Sequence, residues 1–346
     1  MAGDSRAELR AIIAEQLSRF WPPSSAVTKS EYSDRAVDDI TDPGNTLEDL
    51  ATAHAQSNQL REEVANEIAS MLRGTKPNTE FIDQDPEANV PTVSSLPLGA
   101  RLKPRGVFED DWTTRPCPKR PWPVILLHGT CDTKGMWQYL GTELREDGWA
   151  VFAPDYGTRA TGLIPTSAKQ IGAYIDAVLT ITGASKVIII GHSQGGLLAR
   201  YWMRHLDGAR KVRHLVCLGS PNHGTTAGGI ISPLVATKRA ELIMHSVISS
   251  WFGPAGEQQL AGHPLIESIN KNGDLEDGVT YTCIATKSDT VIRPPESCFL
   301  DSRDVPDGTV RNIYVQDFDR LAVVLHEDMP TDKRVRVIVR TVLKQL

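Results

Sequence analysis

A chain of 346 residues with 40% hydrophobic and 23% charged residues has room for one large α/β domain plus an extra piece. Its formal net charge of −6 argues against a nucleic-acid partner, and no apolar run approaches the ~20 residues of a membrane-spanning helix. The five cysteines are odd in number and scattered, which does not make a disulfide framework; Cys217 reads as a small core residue, and a Cys283–Cys298 bridge stays open because spacing alone cannot set Cβ geometry.

Residues 4–21 read as an amphipathic helix with Leu9, Ile12, Ile13, Leu17, Phe20 and Trp21 on one face, stopped by Pro22 and Pro23. Its polar face mixes Glu8, Arg10, Glu15 and Arg19, which favours an arm packed on the protein over a membrane-surface helix. The start of the chain lacks a basic stretch followed by an apolar core, so no secretory signal is visible and a cytoplasmic or cell-associated place is the default expectation. A second helix is expected over 46–73, capped by Thr46 and ended by Gly74 and Pro77. From Thr75 to Arg120 the composition turns to Pro, Asp and Gly with little periodicity, as in a connector laid over a surface. Residues 1–120 are therefore expected to form a helical extension and connector, and 121–346 the main domain.

At Pro121 the texture changes. Val124–Leu127 reads as a buried strand, Met136–Asp147 as a helix with Trp137, Leu140 and Leu144 inward, and Trp149–Ala153 as the next strand. Ser167 and Gln170 are expected to open a helix as a capping box. Strands follow at 187–190 and 212–218, with a helix between them. Strand and helix alternating with short joins imply an α/β fold with a mostly parallel, doubly wound sheet. The rhythm breaks over 226–278, where apolar helical material includes Leu234, Val235, Val247 and Trp251. An insertion between late strands lies over their C-terminal ends, so this segment is expected to be a helical cap whose apolar side chains line a substrate pocket. Strands resume at 279–285 and 310–315, and a final helix runs from about Asp332 to Leu346.

The strongest local signal is Val187-Ile188-Ile189-Ile190 running into Gly191-His192-Ser193-Gln194-Gly195, followed by Gly196 and a helical stretch. A strand, a sharp turn and a helix with serine at the apex hold the hydroxyl clear of the sheet. Glycines two residues either side allow strand and helix to approach closely. Ser193 is the candidate nucleophile.

A serine hydroxyl needs a base in reach, and the base needs an acid to fix its tautomer. In a fold of this kind the acid and then the histidine follow the nucleophile in the chain. His326 lies between the last strand and the last helix and is the candidate base, with His223 as runner-up. Asp289, just past a strand, is the candidate acid, with Asp317 and Asp319 as fallbacks and Asp155 a turn residue. An oxyanion needs two donors: the backbone N–H of Gln194 and that of Thr130, whose hydroxyl could add a third.

These residues carry a resemblance. Pro123–Gly229 resembles the class 2 lipase and esterase group of the α/β-hydrolases, actinobacterial type, in PVILLHGT, WAVFAPDYG, GHSQGG and GSPNHGTT; QQLAG, VTYTCIATKSD and RNIYVQD fit the same group. The resemblance implies an α/β-hydrolase fold and a carboxylic-ester or acylglycerol substrate. It also implies no metal or organic cofactor, and a secreted or cell-associated place. Ser193, Asp289 and His326 fall on the group's triad positions, and Thr130 and Gln194 on its oxyanion positions. Ser288, Thr290 and Leu325 depart from the residues usual beside the acid and the histidine. The expected function is therefore a serine ester hydrolase with contact at a lipid interface. An acyltransferase or thioesterase using the same residues, and a non-catalytic binding protein on the same fold, are the alternatives; oligomeric state is not readable.

Overall fold

Six short strands pair into one parallel sheet: β1 (Val124–Leu127), β2 (Val151–Phe152), β3 (Val187–His192), β4 (Val212–Leu218), β5 (Thr280–Ala285) and β6 (Val310–Tyr314), in the order β2-β1-β3-β4-β5-β6. The computed structural model describes residues 96–226, 248–303 and 305–346. The chain divides into two compact units, Met1–Val90 and Pro91–Leu346, and the described residues belong to the second. The helices expected at 4–21 and 46–73, and Leu234, Val235 and Val247 of the expected pocket, lie outside the described residues.

Parallel strands covered on both faces read as unbroken apolar runs because every side chain, in either direction, is buried. In β1, Ile125 and Leu127 join one core cluster and Val124 and Leu126 the other; in β3 the same split divides Val187 and Ile189 from Ile188 and Ile190. The first cluster is completed by α2 (Ile164–Thr182) and α3 (Gln194–His205), the second by α1 (Gln138–Glu146) and α6 (Lys333–Leu343). Asp332 caps α6 by accepting from the N–H groups of Arg334 and Val335. Between β4 and β5 the described residues hold a helical stretch at 248–252, α4 (Pro254–Gln258) and α5 (Pro264–Asn270), and no strand.

The strand order reverses direction between β1 and β3, since β2 lies outside β1 and the chain then crosses back. The carboxyl ends of these two strands, Leu127 and His192, flank the crevice where an open α/β sheet binds its ligand.

Two expectations are corrected, and the question of a Cys283–Cys298 bridge is answered. The helix at the supposed capping box begins three residues earlier: Pro165 stands in the first turn of α2 and Ser167 is inside it, fully buried. Proline presets the helical φ and has no N–H to satisfy, so it displaces the start upstream. The N–H of Ile164 is met instead by the Gln258 side chain at 2.8 Å. All five cysteines are free thiols; the Cys283 sulfur accepts from Asn222 Nδ2 at 3.8 Å and Cys298 donates to the Ile284 carbonyl at 3.6 Å.

The connector is not merely laid over the body. Phe108 is 4% exposed inside the second core cluster, with the Arg145 guanidinium 4.1 Å from its ring centroid. Asp110 accepts from the Ala153 N–H at 2.8 Å and the Tyr174 hydroxyl at 2.7 Å, and Trp112 lies against Phe152. Deleting a buried aromatic ring removes its transfer energy and leaves a cavity. Phe108→Ala is therefore expected to destabilise the protein by about 3–5 kcal/mol in urea unfolding; a change under ~1 kcal/mol would mean the segment is dispensable to the core.

Candidate active site

Ser193 sits at the first residue past β3 with φ 51° and ψ −123°, a left-handed backbone for a residue bearing a Cβ. The turn that imposes it is made by near contacts. A Cβ on Gly191 would strike the Gly196 nitrogen, and one on Gly195 would strike the Leu127 carbonyl oxygen. The Ser193 N–H donates to the Leu218 carbonyl at 2.8 Å, pinning the apex to the end of β4.

The next residue, Gly219, has φ +53 and lies under the Asp289–His326 pair. A Cβ there would meet Met329 Sδ at 2.9 Å, His326 Nδ1 at 3.2 Å and Asp289 Oδ2 at 3.4 Å. His326 Nδ1 and Asp289 Oδ2 are hydrogen-bonded at 2.9 Å, with Asp289 2% and His326 6% exposed. The other carboxylate oxygen of Asp289 accepts the N–H groups of Val291 and Ile292, each at 2.8 Å. Burial pushes the Asp289 carboxyl up, but the imidazole charge, its hydrogen bond and the two N–H donors outweigh this and hold it below the ordinary carboxylate value.

His326 is also held through its backbone. Its carbonyl is 2.9 Å from His192 Nε2, and the two rings lie 4.9 Å apart between centroids. Burial holds His192 well below the usual imidazole range, and the neighbouring His326 adds to this. His192 is thus neutral and donates from Nε2. Ser193 is 7% exposed, and its hydroxyl makes no hydrogen bond to the His326 imidazole. Such bonds commonly tighten only with substrate in place.

The loop after β1 faces Ser193. Gly129 allows the approach: a Cβ there would stand 3.1 Å from Ser193 Cβ. Among the described residues, neither the Thr130 N–H nor the Gln194 N–H has a protein acceptor. The Thr130 hydroxyl is 3.0 Å from Gln194 Nε2 and 3.1 Å from Gln259 Nε2. His128 is fully buried, stacked on Tyr156 with centroids 4.2 Å apart, and its Nδ1 is 2.9 Å from the Gly129 carbonyl. It shapes the loop.

The other candidates lie elsewhere. His223 pairs with Asp274 at 3.2 Å and is 42% exposed at its side chain. Asp317 accepts the Tyr314 N–H, Asp319 pairs with Arg334, and Asp155 accepts the Lys134 N–H. Trp251, in the helical stretch at 248–252, offers its carbonyl to Cys131 Sγ at 3.8 Å, beside the loop after β1. Among the described residues no group of three His, Cys, Asp or Glu side chains could hold a metal ion. Sequence reasoning missed Gln259. The one signal for it was its place in QQLAG, which says nothing of the residue it reaches.

A parallel sheet with its switch point between β1 and β3, and a serine at a strand–turn–helix apex there, define the α/β-hydrolase fold. Residues 123–242 match the family model described as alpha/beta hydrolase fold. The chain is 30% identical over 164 residues to a triacylglycerol lipase of Burkholderia plantarii, covering 43% of this chain and 42% of the relative. It is 31% identical over 129 residues to a triacylglycerol lipase of Pseudarthrobacter phenanthrenivorans, covering 34% and 38%. The chain thus spans about two fifths of the length of these curated relatives. Among solved structures, Aspergillus fumigatus lipase B is similar with a TM-score of 0.53 at 18% identity, over 68% of this chain and 54% of that one, a likeness of fold.

Asp289 gives up its proton at lower pH in the fold than in the unfolded chain. The stability this supplies is fully present above the unfolded value, near pH 4, and is lost as pH falls through the folded value. Urea unfolding between roughly pH 5 and 2 is expected to show a shallower loss of stability on acidification for Asp289→Asn than for the wild type. Identical slopes would contradict the depressed carboxyl.

Proposed function

We propose that the protein is a serine hydrolase that cleaves carboxylic esters through an acyl-enzyme. Ser193 attacks the acyl carbonyl while His326 takes its proton at Nε2, the nitrogen left free by the Nδ1 bond to Asp289. Asp289 fixes that tautomer and stabilises the imidazolium. The tetrahedral oxyanion is held by the N–H groups of Gln194 and Thr130, which point at no protein acceptor among the described residues. His326 then gives its proton to the departing alcohol, and water activated by the same imidazole releases the acid.

The observation that carries this reading is the buried Asp289–His326 pair over Gly219, next to the residue whose carbonyl receives the Ser193 N–H. The distant similarity to triacylglycerol lipases supports an ester substrate. It extends the proposal to acylglycerols at a lipid interface and to the class 2 lipase group of the resemblance. Leu234, Val235, Val247 and Trp251 are proposed to line the acyl site. Replacing the nucleophile removes the covalent route altogether. Ser193→Ala is expected to lower kcat for a p-nitrophenyl butyrate substrate by roughly 10⁶ in steady-state assays; turnover within tenfold of wild type would refute the assignment.

A further inference from the structure

The Thr130 hydroxyl is held by two side-chain amides whose orientations chemistry settles. Gln194 Nε2 reaches Thr130 Oγ1 at 3.0 Å and the Ala160 carbonyl at 2.9 Å. Gln259 Nε2 reaches the same Oγ1 at 3.1 Å and the Ala255 carbonyl at 2.9 Å. A backbone carbonyl only accepts, so each glutamine must turn its NH₂ group, not its oxygen, toward that carbonyl and therefore toward Thr130. A hydroxyl has one proton and two lone pairs. With both lone pairs taken by amide donors, the Thr130 proton has no role left except to donate away from both glutamines.

We propose that Gln259 is a positioning residue that, together with Gln194, commits the Thr130 hydroxyl to donate to the oxyanion. This rests on the reading of Ser193 as nucleophile. Gln259 touches no reacting atom in this scheme. It acts by keeping the hydroxyl from accepting, so that its proton stays available when charge develops on the substrate oxygen. Its own placement is rigid. The residue is 7% exposed, its carbonyl accepts the Thr225 N–H at 2.9 Å, and the N–H of Ala261, two residues on, returns to the Thr225 carbonyl at 2.9 Å. The segment that carries it docks on the turn bearing Ala160, through the Ala255 N–H and the Thr161 carbonyl at 3.3 Å. A residue of the insertion after β4 thereby supports a hydroxyl of the loop after β1, beside the first residue of α3.

A double-mutant cycle on hydrolysis of p-nitrophenyl butyrate tests this, with thermal melts to verify folding. Thr130→Val keeps the backbone N–H and removes the hydroxyl, and is expected to lower kcat by about 10². Gln259→Leu is expected to lower kcat by about tenfold with KM nearly unchanged. In the Thr130→Val background the same Gln259 substitution is expected to have no further effect, because its target is gone. Gln259→Glu, which preserves shape but offers acceptors in place of donors, is expected to reduce kcat at least as much as Gln259→Leu, and it runs the same cycle should the leucine variant fail to fold. An equal loss in both backgrounds would overturn the proposal while leaving Ser193 as nucleophile. Retained turnover by Ser193→Ala would instead remove the reading on which it stands.

Discussion

The left-handed backbone of Ser193 is the constraint on which the rest of the structure depends. A non-glycine residue in a disfavoured backbone region stores on the order of 1–3 kcal/mol and persists only when its surroundings over-determine it. Here the over-determination is visible. The strand before Ser193 is buried on both faces, its N–H is tied to the Leu218 carbonyl, and the glycines on either side let the backbone of Gly196 and the Leu127 carbonyl close in. The strain is thus held by the sheet, and its effect is to set Ser193 at the switch point, at the carboxyl ends of β1 and β3.

A second strained segment supports the opposite wall. Thr158, Arg159 and Ala160 all have positive φ, at 49°, 59° and 56°. The turn they form brings the Ala160 carbonyl to the Gln194 amide and the Arg159 carbonyl to the Cys131 N–H. The Arg159 guanidinium bonds the carbonyls of Ala100, Leu102 and Cys131, and Arg105 pairs with Asp132. The segment 96–120 is therefore bound to the loop after β1 by charge-assisted bonds as well as by the Phe108 ring. This loop, which carries Thr130, is fixed from the turn at 157–160, from the segment at 96–112 and from the glutamine of the insertion.

The sheet was legible in the sequence because a strand buried on both faces leaves no polar position to confuse its period. Val124–Leu127 and residues 187–190 of β3 show it plainly, whereas β4 and β6 carry polar residues such as Arg213 and Arg311. The pairing of Asp289 with His326 followed from chain order, since a residue past a late strand and one before the final helix reach the same rim. What was not legible depended on contacts across the chain. The start of α2 was misplaced because the Ser167–Gln170 pattern outweighed Pro165 and because the Gln258 amide, 94 residues away in sequence, meets the Ile164 N–H. Phe108 falls in the aperiodic stretch expected to be laid over a surface, although it closes the core beside α1. Gln259 lies 129 residues from the threonine it holds, and nothing local to it marks that role.

The central claim is that the hydroxyl of Ser193 is the group that attacks. Peptide mass mapping after treatment with a fluorophosphonate at neutral pH tests it most directly, because that reagent stays bonded to an activated serine. The expected result is a single adduct on the peptide spanning residues 187–200, at Ser193, and its loss when His326 is replaced by alanine. An adduct on another serine, or an ester hydrolase that keeps full turnover with no adduct at Ser193, would contradict it.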